Sequence, residues 1–219
     1  MTTFPNSPRI VKGGIVLLDP ETAMVQRIIT LQYNPDTLSR TLQVQGVGGE
    51  SGDRSQALRL KGPPVETIKL EAEIDATDQL EFPDNNADAV QHGIAPQLAA
   101  LETLIYPASS RLLSNNRLAQ AGTLEIAPME APLSLFVWSR NRIVPVRLTD
   151  FSVTEEAFDP WLNPIRAKVS LGMRVLSVDD LGFSHKGGNV YLSYHQNKEN
   201  LAARLKAGTF TTLGIGGIP

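Results

Sequence analysis

The chain contains no cysteine. That excludes a disulfide framework, a thiol nucleophile and any thiolate-ligated metal. No run approaches the roughly 20 apolar residues that a membrane-spanning helix requires. The stretch from Met1 to Ile10 is polar and proline-bearing, without the apolar segment of a secretory signal. Basic residues are scattered: 20 Lys and Arg stand against 23 Asp and Glu, for a net charge of −3, and no basic cluster offers a grip on a phosphate backbone. These absences lead us to expect a chain that is folded in the cytoplasm, inserts in no membrane and binds no nucleic acid. If it leaves the cell, it should leave as part of something larger.

What is present is ordinary globular material. Of 219 residues, 42% are hydrophobic, enough to bury a substantial core. Several segments alternate with period two, as half-buried strands do. Ile68, Leu70, Ala72 and Ile74 share one face, with Lys69, Glu71, Glu73 and Asp75 on the other. Ile165, Ala167, Val169, Leu171, Met173 and Val175 do the same against Arg166, Lys168, Ser170 and Arg174. One polar face is mainly acidic and the other basic, so antiparallel pairing of these two strands would set opposite charges across the ladder. Met24 to Tyr33 is a further strand, ended by Asn34-Pro35-Asp36, and Leu42 and Val44 alternate with Gln43 and Gln45. Leu133 to Trp138 and Val144 to Leu148 form a hairpin around Ser139-Arg140-Asn141-Arg142, with Pro145 predicting an edge strand or a bulge. Ile94, Leu98, Leu101 and Ile105 have helical spacing, with Pro107 ending the helix. A second helix is predicted over Asn197 to Lys206, where Leu201 and Leu205 lie one turn apart. The chain divides into a β domain over residues 1–178 and an extension with a short helix over residues 179–219.

No catalytic or cofactor signature survives inspection. The loop Gly46-Val47-Gly48-Gly49-Glu50-Ser51-Gly52 lacks the third glycine of a dinucleotide fingerprint and the Gly-Lys-Ser/Thr of a P-loop. It reads as a flexible connection. Asp84, Asn86 and Asp88 have the spacing of calcium-loop ligands, but Ala89 and Ala95 stand where the glycine and the bidentate Glu belong. His92, His185 and His195 form no zinc motif, and no Gly-x-Ser-x-Gly elbow exists. We therefore expect no enzyme, no metal and no cofactor. Trp138 reads as core; Trp161, in the proline-bounded Phe158-Asp159-Pro160-Trp161-Leu162-Asn163-Pro164, either folds back or projects to meet a neighbour.

These residues together resemble a known family. The pattern is a strand ending in Tyr33-Asn34-Pro35, the glycine loop, Leu60-Lys61-Gly62-Pro63-Pro64 and the long strand to Asp75. It continues with a helix ending at Tyr106-Pro107, Pro132-Leu133-Ser134-Leu135-Phe136-Val137-Trp138, and Asn163-Pro164-Ile165-Arg166-Ala167. Over residues 11–178 it resembles the tube domain of tube-adaptor (baseplate hub) proteins of contractile injection systems, the phage-tail-like particles of bacteria. The resemblance implies a mainly β (α+β) fold, a tail-tube-like β-barrel of two packed antiparallel sheets with a flanking helix. It implies a homohexameric ring at the base of the inner tube, in contact with the spike protein, the inner-tube protein and baseplate components. Many members carry a C-terminal LysM module, and residues 179–219 show no LysM pattern. Gly46, Gly48, Gly49, Trp161, Leu201 and Leu205 are the expected interface residues. An ordinary inner-tube protomer, a monomeric ligand-binding β-barrel and an Asp/His hydrolase are the alternatives.

Overall fold

The computed structural model describes residues 10–19, 22–46, 59–122 and 132–218. Seven strands form one sheet: β1 (Gly14–Leu18), β2 (Val25–Thr30), β3 (Leu38–Gln43), β4 (Val65–Asp75), β5 (Leu133–Ser139), β6 (Arg142–Phe158) and β7 (Pro164–Val175). Their order is β2-β1-β5-β6-β7-β4-β3, and every pairing is antiparallel. Among the described residues the α-helices are α1 (Thr77–Leu80), α2 (Ala87–His92), α3 (Ala95–Glu102), α4 (Ser109–Gln120), α5 (Val178–Leu181) and α6 (Lys186–Ala202). The mainly β, α+β class expected from the alternating segments holds.

Closure into a barrel of two sheets does not. Among the described residues there is a single sheet, and it is open, with β2 and β3 as its terminal strands. β3 pairs with β4 only from Val65 to Leu70, so among the described residues Glu71 to Asp75 have no strand on that side. Across this gap reaches Gln32, two residues beyond β2. Its Nε2 donates to the Asp75 carbonyl at 2.6 Å, and its Oε1 accepts the Asp75 N–H at 3.0 Å. One side-chain amide thus supplies the pair of hydrogen bonds that a neighbouring strand would make.

The charge-guided pairing is realised. β4 and β7 run in register from Thr67 opposite Arg174 to Asp75 opposite Arg166. Glu73 stands opposite Lys168, and the Arg166 Nε lies 2.7 Å from the Asp75 carboxylate. On the other face Ile68, Leu70, Ala72 and Ile74 meet Ala167, Val169, Leu171 and Met173, all buried. Phe136, Val144 and Val146 of the β5–β6 hairpin continue this core, as do Ile94, Leu98 and Leu101 around α3. The helix stops at Glu102, so Ile105, expected on its buried face, is exposed.

Three further expectations need correction. Pro145 lies neither on an edge nor in a bulge, because β6 sits between β5 and β7. Its carbonyl accepts the Leu176 N–H just past the last β6–β7 rung, so the missing donor falls at the ladder's end. The β5–β6 turn is only Arg140 and Asn141. The chain after Ser177 does not stand apart from the core. Helix α6 starts eleven residues earlier than the expected Asn197, and it inserts Tyr191 and Tyr194 into the main apolar cluster. Its Val190 joins Leu181, Leu18, Leu133 and Leu135 in a second, smaller cluster. Gly188 makes this packing feasible, since a Cβ there would stand 2.0 Å from the Gly182 carbonyl oxygen. The entry to α5 is a capping box of Ser177 and Asp180, and the His185 Nδ1 accepts the Gly187 N–H at the start of α6.

The strongest polar tie is Glu66, which points to the apolar side of β4 and is only 3% exposed. Arg40 of β3 holds its Oε1 at 2.6 Å, and the Lys198 Nζ of α6 holds Oε2 at 3.2 Å. The Tyr194 hydroxyl donates to the same carboxylate at 3.2 Å, with Lys198 lying 4.1 Å from the centre of its ring. Burial alone would raise the Glu66 pKa. The Arg40 hydrogen bond and the charges of Lys198 and Arg40 outweigh it and leave the group below its ordinary value of 4.5. The stabilisation from this depressed carboxyl is therefore complete above about pH 4.5 and is lost as pH falls through the lower folded value. Glu66→Gln should lower the unfolding free energy by about 1.5–3 kcal/mol at pH 7, the range for hydrogen bonds to charged groups. Urea titrations at pH 7 and pH 3.5 check this, because the gap between wild type and variant should shrink at the lower pH.

Candidate assembly surface

Strand β6 is long for a physical reason. Its first part, Arg142 to Val146, pairs with β5, and β7 takes over as its partner from Val146, where β5 ends. From Arg147 to Phe158 the strand continues with β7 alone, so one edge of this stretch has no partner strand among the described residues. Apolar Phe151 and Val153 pack on the core while Thr149, Ser152, Thr154, Glu155 and Glu156 are exposed. Bulges at Leu148/Asp150 and Glu155/Ala157 twist the strand as it leaves the sheet. An arm of this kind carries unpaired backbone donors and acceptors and forms a template for another strand.

At its tip the β6–β7 connection is built to hold one shape. The Asp159 Oδ1 accepts the N–H groups of Trp161 and Asn163, both at 2.8 Å, and Oδ2 accepts the Asn163 amide at 2.8 Å. The Asp159 N–H donates to the Asn163 carbonyl at 2.9 Å, closing the turn. Partial desolvation raises the Asp159 pKa, but the Asn163 and Trp161 donors prevail and keep it below the ordinary carboxylate value. The Asn163 amide reaches the Gln91 carbonyl at 3.2 Å, and the Ile94 N–H reaches the Pro164 carbonyl at 2.8 Å, so α2 and α3 brace the base of the turn. Gly93 permits this approach: it has φ 56°, and a Cβ would lie 2.1 Å from the Pro164 oxygen. What the turn presents is apolar. Trp161 is 77% exposed and Leu162 78% exposed, with Phe158 half-exposed beside them. Leu162 also holds φ 67°, a conformation that costs a branched side chain about 1–3 kcal/mol.

Of the expected interface residues, Trp161 thus projects into solvent rather than folding back. Leu201 lies in the last turn of α6 and Leu205 beyond it, the latter 82% exposed, and the two do not join the core. Gly46 forms an isolated antiparallel bridge with Leu60, extending the β3–β4 arm. Gly48 and Gly49 lie outside the described residues. Trp138 stacks on Phe136 at 6.0 Å and is partly buried, in keeping with its reading as core.

Sequence reasoning missed two features. The first is the β6 arm. The second is an apolar cleft between β2, the unpaired part of β4 and α3, with walls that include Ile29, Leu31, Ala72, Ile74, Ala100 and Leu101 and a volume of about 160 Å³. Among the described residues, no cluster of three or more His, Asp or Glu side chains could hold a metal ion. No described helix is long and apolar enough to cross a membrane.

Comparison with known proteins adds little. No protein-family model matches the chain, and no curated protein matches it. Among solved structures, one described as the tail of an empty GTA particle with C6 symmetry aligns at 12% identity and TM-score 0.30, over 75% of this chain and 90% of that one. Another, described as the virion of a native gene transfer agent (GTA) particle, aligns at 10% identity and TM-score 0.28, over 74% and 90%. Superpositions this loose establish no common fold.

The strained Leu162 yields a prediction. If its side chain served the chain's own stability, Leu162→Gly would be costly. Relief of the left-handed strain should instead offset the added flexibility of glycine, about 0.5–1 kcal/mol, and leave the urea midpoint unchanged or higher. A fall in the midpoint equivalent to more than about 1 kcal/mol would show that Leu162 packs at home.

Proposed function

We propose that this chain is a non-catalytic structural subunit of a phage-tail-like contractile injection particle. It assembles as a homohexameric ring at the base of the inner tube, joining the spike to the tube and baseplate. The observation that supports this reading most is the β6 arm. A strand that runs from Arg147 to Phe158 with one side unpaired among the described residues is a hazard for a free monomer and an asset for a subunit that pairs with its neighbour. Copies arranged in a ring remove such edges, which is how closed β architectures avoid sheet-to-sheet aggregation. The terminal strands agree with this use. β2 exposes Val25 and Ile28, and β3 exposes Leu42. The sequence resemblance to tube-adaptor proteins supplies the hexamer, the partners and the position in the particle. A monomeric ligand-binding barrel fits less well, because the sheet does not close on itself.

Electron microscopy of the purified chain tests the proposal. Rings with a central channel, or rings formed when the inner-tube protein is added, are the expected outcome. A monodisperse monomer at every concentration, with and without tube protein, would overturn it.

A further inference from the structure

We infer that successive copies are joined head to tail by Trp161 of one copy entering the β2–β4–α3 cleft of the next. This deepens the ring reading and rests on it.

The two halves of the contact are both in the monomer. The knob is an indole held out by a turn whose backbone is fixed by Asp159, with strain accepted at Leu162 to keep that shape. With the backbone fixed before binding, only the two indole torsions are ordered on docking, and Trp is among the residues that most often dominate an interface. The hole is the apolar cleft. Its volume of about 160 Å³ is close to that of a dry apolar cavity of about 150 Å³ known to admit a benzene ring. Ile29, Leu31, Ala72 and Ile74 supply apolar walls, and the small side chain of Ala100 leaves the space beside α3 open. At the rim stand Arg27, Glu73 and Gln97, a polar border around an apolar centre.

The chain does not satisfy its own cleft. Trp161 is 77% exposed, and the other tryptophan, Trp138, is stacked on Phe136. Knob and hole are different surfaces of the same molecule, so the contact is heterologous: each copy uses its knob on one neighbour and its cleft on the other. Repetition of such a contact generates a ring when the rotation closes. The cleft also lies where the sheet fails to close, so the neighbour's aromatic would cover the edge of β4 that β3 leaves bare.

Complementation tests this directly. Trp161→Ala removes the knob and keeps the cleft; Ala100→Phe fills the cleft and keeps the knob. In sedimentation velocity each variant alone should stay monomeric where wild type assembles, with association weakened about 30-fold or more, as expected for loss of a dominant aromatic. Mixed in equal amounts, they should form a one-to-one dimer and nothing larger. Far-ultraviolet circular dichroism and urea midpoints establish that both variants fold. A second reading needs no cleft variant: tryptophan emission of the wild type should shift to the blue on assembly, and that shift should be absent from Trp161→Ala. If both variants assemble like wild type, or the blue shift persists without Trp161, this contact is wrong while the ring stands. If wild type itself never assembles, ring and contact fall together. Uptake of a free indole by the monomer with no self-association would identify the cleft as a small-molecule site and overturn the inference.

Discussion

A slip of one residue between β4 and β7 would carry Ile68, Leu70, Ala72 and Ile74 to the solvent face and draw Lys69, Glu71 and Glu73 into the core. The register that prevents this is set twice. Apolar side chains fill one face, while Asp75 with Arg166 and Glu73 opposite Lys168 match charge on the other. The exposed pairs add only modestly to stability, about 0–1 kcal/mol each. Their service is to penalise the wrong register. From this ladder the rest is positioned. β7 carries β6 outward as the arm, β4 leaves half an edge bare beside α3, and Asp75 offers its backbone to Gln32.

Function follows from what that ladder leaves incomplete. Within one chain, most strands are paired and the apolar faces are covered by α3 and α6. Among the described residues, the β6 edge beyond Val146, the apolar surface of β2 and the tip at Trp161 and Leu162 are not. The tip is stiffened by hydrogen bonds to Asp159, and the cation–carboxylate cluster at Glu66 locks β3, β4 and α6 together behind it. Rigid support behind exposed apolar groups is the arrangement that favours association over local rearrangement.

The long strands were legible because their alternation is unbroken, which fixed their faces, while the opposite charge of their polar faces suggested the pairing that the structure shows. The failures have physical causes. β1 is a short apolar run, Gly14-Ile-Val-Leu-Leu, with no alternation to distinguish strand from buried helix. The second half of β6 was hidden by its bulges, which break the period after Leu148 and again after Glu155. α6 buries two glycines of its first turn and two tyrosines, so the leucine spacing pointed only to its end. Open and closed sheets share the same strand pattern, so alternation could not reveal that β3 stops opposite Leu70 or that the Gln32 amide bonds Asp75 beyond it. Glu66 did leave a signal. It lies in phase with Ile68 and Leu70, a carboxylate on an apolar face, which calls for buried cations. Trp161 was legible as a choice between core and interface, and the geometry of Asp159 decides that it projects.

The central claim is that strand edges left bare in one chain are covered by its neighbours. Amide hydrogen exchange measures this residue by residue, comparing dilute chain with assembled chain. The account predicts fast exchange in the dilute state along the outer edge of β6 from Arg147 to Phe158, and strong protection there on assembly. β7, already flanked by β4 and β6, should change little. Protection of the β6 edge in the dilute monomer, or exchange that is the same in both states, would contradict it.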